Sequence, residues 1–228
     1  MTTDFIPTEY AKRYTVDMVR AHQVYKNSAG KRVPGVTTVL GILEKPGLLK
    51  WAWRMGQDGK DIEKVRDEAA AIGTVSHARV EAHLRGMEFD ASGITLERMT
   101  QSGYAFDGFL SWWEREGYSV LATEMQLVSE RWQVGGTLDI LARDRDGALV
   151  LVDIKTSNGL YREHRLQVAA YAAMYEETND ERISRLVIVR IPKDESGVVE
   201  PVEVVNRADC EAAFAAVASA YRALSKVR

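Results

Sequence analysis

Gly135-Gly136-Thr137-Leu138-Asp139 is followed, ten residues on, by Leu149-Val150-Leu151-Val152-Asp153-Ile154-Lys155-Thr156, and these two stretches decide the fold. The second is apolar for its first four positions and so reads as a strand buried on both faces, yet it ends in an acid, an apolar residue and a base. Buried carboxylates persist only when paired or metal-bound, so Asp153 and Lys155 at the end of a central strand call for a chemical explanation. Register sets what they can do. With Asp146-Gly147 as a two-residue turn, Asp139 faces Ile154 and the two aspartates point to opposite sides of the sheet. With Arg145-Asp146-Gly147 as a three-residue loop and Gly147 left-handed, Asp139 pairs with Asp153 and Thr137 with Lys155, all on one face. Directly opposed Cβ atoms lie about 4.5–5.5 Å apart, close enough for two carboxylates to hold one divalent ion. Without an ion the like charges repel and raise one carboxyl pKa.

Outward from this centre, strands are expected over 119–128, 132–142 and 148–155, then a helix over 160–177, apolar strands over 185–191 and 198–205, and a closing helix over 208–226. That last helix aligns Phe214, Val217, Tyr221 and Leu224 as a core-facing stripe, with Cys210 as a small buried residue at its start. Upstream, residues 22–26 and 33–40 read as a hairpin about a polar turn at 27–31, with Val36, Thr37, Thr38 and Val39 supplying β-branched positions. Helices are expected near 48–55, 60–84 and 96–116. The economical architecture is α/β, one domain over 1–228: residues 1–60 form a hairpin and helical elaboration on a core at 61–228, whose mixed sheet is flanked by helices.

Composition narrows the classes. The 228 residues are 46% hydrophobic and 28% charged, with 5 Pro and 17 Gly, which excludes fibrous and largely disordered proteins. No window approaches the ~18 consecutive apolar residues of a bilayer span, and Met1–Tyr10 lacks a basic segment followed by an apolar one. The expected location is the cytoplasm, without membrane contact. One cysteine excludes a disulfide framework and a four-cysteine zinc or iron–sulfur site from one chain. Net charge is −3, but residues 1–60 hold ten Lys and Arg against five acids, a balance of +5 that leaves −8 for the remainder.

Two helices add candidate ligands. His77, with Glu81 four residues later on the same helical face, follows Gly73; Gln167 and Tyr171 are again four apart. Glu124, on the strand before Asp139, is an extra candidate for metal or water. Lys50, Arg54 and Lys60, with Lys45, surround one helix and could meet phosphates. Trp51, Trp53, Trp112 and Trp113 read as packing residues, and His22, His83 and His164 have no ligand spacing.

In order, Gly73 with His77 and Glu81, Gly135-Gly136-x-x-Asp139, Asp153-x-Lys155-Thr156 and Gln167-x-x-x-Tyr171 resemble the RecB-like branch of the PD-(D/E)xK nuclease superfamily, which includes lambda-type exonucleases. Val33–Leu40 and the tryptophan-bearing helix after it look like the leader of phage-encoded members. The resemblance implies a restriction-endonuclease-like core and a nuclease using Mg²⁺ or Mn²⁺, with Asp139, Asp153, the Ile154 carbonyl and His77 on the metal and Lys155 orienting or deprotonating the attacking water. It places Gln167 beside that lysine or the substrate phosphate, with Tyr171 supporting its helix. It also implies DNA as substrate, an exonuclease at duplex ends in phage or prophage recombination or replication, a 5′-phosphate product, a homo-oligomer, and a single-strand annealing protein as partner. The four-cysteine iron–sulfur subgroup does not match, and there is no glycine-rich motor loop. The rivals are a structure-specific or nicking endonuclease on the same site and an inactive DNA-binding module of the same fold.

Overall fold

A computed structural model describes residues 13–20 and 23–227. The Met1–Tyr10 segment and His22, where the expected hairpin begins, lie outside the described residues. At its centre is a five-stranded sheet of β3 (Ser119–Ser129), β4 (Val134–Arg143), β5 (Leu149–Lys155), β6 (Arg185–Arg190) and β7 (Glu200–Glu203), in that order. β5 and β6 run parallel and the other neighbours antiparallel. A parallel pair needs a crossover, and α6 (Arg162–Glu176) supplies it. The sheet is mixed and flanked by helices, as the sequence predicts.

The apolar run of β5 is buried on both sides because its residues alternate between two cores. Leu149 and Leu151 face α6, α7 (Arg207–Leu224) and the short α2 (Val36–Leu40). Val150, Val152 and Ile154 face Phe109, Trp112 and Trp113 of α5 (Leu96–Glu116), together with Val80 of α4 (Ile62–Leu84). Trp112 and Trp113 are thus packing residues, as expected. A small parallel pair, β1 (Arg13–Tyr14) with β2 (Glu88–Phe89), packs beside α4; between them in the chain come α1 (Val16–Arg20) and α3 (Pro46–Gln57). No described helix is long and apolar enough to cross a membrane.

The loop between β4 and β5 is the three-residue alternative. Asp144 N–H donates to the Ala148 carbonyl at 3.0 Å, and Gly147 has φ +82°. The ladder runs from Arg143↔Leu149 to Ile140↔Val152, the register of that alternative, and ends there, one step short of the expected Asp139–Asp153 pair. The expected Thr137–Lys155 pair does not form either, and Thr137 instead meets Tyr25.

Three other expectations are corrected. Residues 33–40 do not form a strand. Among the described residues the hairpin is reduced to its turn end, the bridge Lys26↔Arg32 with Val33 N–H on the Tyr25 carbonyl, and Val36–Leu40 is helical. Val36, Val39 and Leu40 sit at helical spacing over the α6–α7 core, and their burial outweighs β-branched preference. Leu224 leaves the α7 stripe at 58% exposure, while Cys210, Phe214 and Ala218 make the buried contact. Trp53 is 66% exposed and packs against nothing that hides it.

Glycines set the closest approaches. A Cβ at Gly136 would lie 2.4 Å from Cε1 of the buried Tyr171 ring, whereas one at Gly47 would meet nothing within 4 Å. Gly136→Ala is expected to destabilise the protein by about 1–3 kcal/mol in denaturant titration, with Gly47→Ala neutral or better.

Candidate metal centre and active site

Three adjacent strands carry one row of acids. Glu124 sits on β3 between the pairs Thr123↔Ile140 and Met125↔Leu138, hence across from Asp139 on β4, and Asp139 and Asp153 are each the next residue beyond the last β4–β5 pair, Ile140↔Val152. Glu124 has φ +50°, a left-handed conformation that a non-glycine residue adopts at a cost. Arg85 holds the adjoining backbone: its Nε donates to Thr123 Oγ1 at 2.7 Å and its Nη2 to the Thr123 carbonyl at 3.3 Å.

His77 descends from α4 toward this row, its Nδ1 3.9 Å from Asp139 Oδ2. His77, Glu124 and Asp139 each offer a ligand atom within 4.8 Å of the others. Two ligands at about 2.1 Å from a shared divalent ion are separated by about 4 Å or less, so this trio needs only a small contraction to close on such an ion. Asp153 is not in the trio. Its side chain is wholly buried and reaches Lys155 Nζ at 2.6 Å, while its Oδ1 has no hydrogen-bond partner among the described residues. A carboxylate oxygen buried and unpartnered beside two other acids is costly without a cation, so the donor set fits a divalent metal.

The electrostatics agree. Burial foremost, then Asp139 and Glu81, push Glu124 up to about 8, and Arg85 offsets part of this. Burial likewise raises Asp139 and lifts Asp153 to about 6, against the pull of Lys155. Burial opposes the charge of Lys155, yet Asp153 and Asp139 outweigh it and hold the ammonium above its ordinary range. Burial, with Lys155 beside it, brings His77 down to about 4, leaving the neutral imidazole that can ligate metal.

Asp139 is aimed by the backbone, its Oδ2 accepting Ile154 N–H at 2.7 Å, and the Ile154 backbone also meets His77. Gly73 lets α4 close on the strand end, since a Cβ there would lie 2.7 Å from Thr156 Oγ1. Gln167 Nε2 donates to Tyr171 Oη at 3.0 Å, and burial raises the Tyr171 phenol in the field of Asp153. Glu81 is engaged elsewhere: it accepts from Tyr14 and from Thr123 Oγ1 and pairs with Arg85 at 2.5 Å. Lys50, Arg54 and Lys60 are exposed on and after α3, away from the acid row's buried centre. Arg85 and Tyr14 were not legible as site supports, although the i,i+4 spacing of Glu81 and Arg85 was the available signal.

A sequence profile described as "PD-(D/E)XK nuclease superfamily" matches residues 48–227. The chain belongs to this superfamily. Its fold and donor set are those of a PD-(D/E)XK protein, a class of nucleases that work with divalent metals. The crystal structure of SSO0001 is similar at 16% identity over 68% of this chain and 74% of that chain, with a TM-score of 0.34. A candidate exonuclease from Eubacterium rectale shares 12% identity over 69% of this chain and 66% of that one, with a TM-score of 0.36. No curated protein matches the chain.

The raised Glu124 predicts a measurable pH effect on this PD-(D/E)XK protein. Its folded state keeps a proton that the unfolded chain has released, so metal-free stability falls as pH rises from the ordinary carboxylate range to about 8. Glu124→Gln removes that cost. In metal-free thermal scans the variant should match wild type near the ordinary carboxylate pKa and melt on the order of 3 °C higher above pH 8. Added Mn²⁺ should raise the wild-type midpoint more than the variant's.

Proposed function

We propose that this nuclease is a divalent-metal-dependent DNA exonuclease that hydrolyses phosphodiester bonds at duplex ends. The observation that carries the hydrolytic part is the row of half-buried Glu124 and Asp139 with buried Asp153, joined by His77 and by the Lys155 ammonium at 2.6 Å from Asp153. His77, Asp139 and Glu124 would hold the ion, with Asp153 and the Ile154 carbonyl completing its surroundings. A bound Mg²⁺ or Mn²⁺ supplies charge neutralisation at the scissile phosphate and a more acidic water.

The chain's own residues do the rest. Asp139 is pinned by Ile154 N–H through Oδ2, which fixes the carboxylate and would leave its other oxygen to hold the ion. Lys155, kept charged by the two aspartates, acts as an oriented donor to the attacking water or to a phosphate oxygen, which fits its raised pKa better than proton removal. Gln167 and Tyr171 hold the α6 side of the site, with the Tyr171 ring seated against Gly136. The buried surroundings exclude bulk water from Asp153.

The preference for ends rests on the resemblance to lambda-type exonucleases, as do a phage or prophage role in recombination or replication, a homo-oligomer and a single-strand annealing partner. Residues 1–228 are read as one nuclease domain with 1–60 as an elaboration, a reading supported by the Tyr25 contact with Thr137 and the Gly35↔Gly135 bridge.

With Mg²⁺ or Mn²⁺, a linear duplex should be degraded while a closed circle stays intact, and Asp153→Ala and Lys155→Ala should each lower the rate by about 10²-fold or more. Cutting of the closed circle would replace the exonuclease reading by an endonuclease. Equal silence of wild type and variants in both metals would leave a binding module.

A further inference from the structure

Away from the acid row, the turn at 27–31 and the last turns of α7 enclose a cavity of about 600 Å³. Four cations line it, Lys31 and Arg32 from the turn side and Arg222 and Lys226 from α7, and no Asp or Glu does. Among the described residues, none of the four joins an ion pair. All four are exposed, and only Arg222 has a noted side-chain bond, to the Trp132 carbonyl at 3.4 Å. Such a concentration is unexpected in a chain of net charge −3. The negative end of the α7 dipole accounts for Arg222 and Lys226, but it does not account for two more cations brought opposite them by a separate segment. Four like charges around one cavity repel each other, and the compensating partner is an anion with several charges.

The cavity is tied to the active site by one stretch of chain. Val33 N–H donates to the Tyr25 carbonyl at 3.0 Å, so the segment that carries Lys31 and Arg32 also carries Tyr25, whose hydroxyl lies 2.9 Å from Thr137 Oγ1. Thr137 is two residues from Asp139 on β4. Gln133, in the cavity wall, directly precedes that strand. Along β4 the five steps from Val134 to Asp139 span about 17 Å. One strand of duplex advances about 3.4 Å per nucleotide, so that span equals about five nucleotides.

We infer that this basic cavity seats backbone phosphates of the nucleic-acid substrate about five nucleotides from the bond that is cut. The inference rests on the nuclease reading for its ligand class. It assigns the cavity to positioning, without any reading of base sequence, because the wall offers cations for phosphate and Gln133 as its one amide.

The test is equilibrium binding of a fluorescent duplex to the full chain, in a chelator so that no cleavage occurs, across a series of salt concentrations. The variant Lys31→Ala/Arg32→Ala/Lys226→Ala leaves Arg222 and its Trp132 contact in place. It should bind about 10-fold or more weakly at low salt, and the slope of log affinity against log salt should fall by about 2–3, at roughly 0.9 per lost phosphate contact. Lys226→Glu alone should move both in the same direction, which covers the case of a poorly folded triple variant. A slope within about one of wild type in both variants overturns the inference. So does displacement of the duplex by inorganic phosphate beyond that by chloride at equal ionic strength, which would make the cavity a seat for free anions. Wild type that binds with a steep salt slope but cleaves nothing would defeat the nuclease reading and leave the cavity assignment standing.

Discussion

Repulsion among clustered carboxylates is the constraint around which this molecule is organised. Half-buried Glu124 and Asp139 and buried Asp153 occupy neighbouring strands of one sheet, and desolvation raises all three pKa values. One ammonium, Lys155, answers part of that charge. A divalent ion answers the remainder, and neutral His77 is placed to share it. The metal-free site is therefore a store of unfavourable electrostatic energy that ligand binding releases, which is the usual relation between a working site and the stability of its scaffold.

Holding the row in place requires close approaches that larger residues would prevent. Gly73 allows α4 to meet Thr156, Gly136 receives the Tyr171 ring, and Gly135 receives Tyr25, where a Cβ would lie 2.1 Å from Cγ. On the β3 side the device is polar. Glu81 orients Arg85, Arg85 grips Thr123, and the left-handed backbone of Glu124 follows directly. Glu81 thus acts on the site through another residue, by fixing where the next acid stands.

Charge is distributed with the same economy. Acids concentrate where a cation is to be bound, and an acid-free group of Lys31, Arg32, Arg222 and Lys226 lies about a strand's length away. These two features are of opposite sign, and a polyanion that bridges a metal centre and a basic cavity satisfies both.

Local pattern determined much of this. The apolar run at 149–152 could only be a central strand, the Gly147 loop admitted the register that brings Asp139 and Asp153 to the same end of β4 and β5, and helical spacing placed His77 above them. These features depend on period and turn chemistry, which neighbouring residues carry. Tertiary packing decided the rest. The helix at Val36–Leu40 formed because three of its side chains found the α6–α7 core, against their β preference. Thr137 parted from Lys155 because the β4–β5 ladder ends at Ile140 and Thr137 is taken by Tyr25, and Glu124 joined His77 and Asp139 because Arg85, distant in sequence, holds the Thr123 backbone beside it. The basic cavity likewise exists only where two ends of the chain meet, since like charges far apart in sequence become one site only when folding sets them side by side.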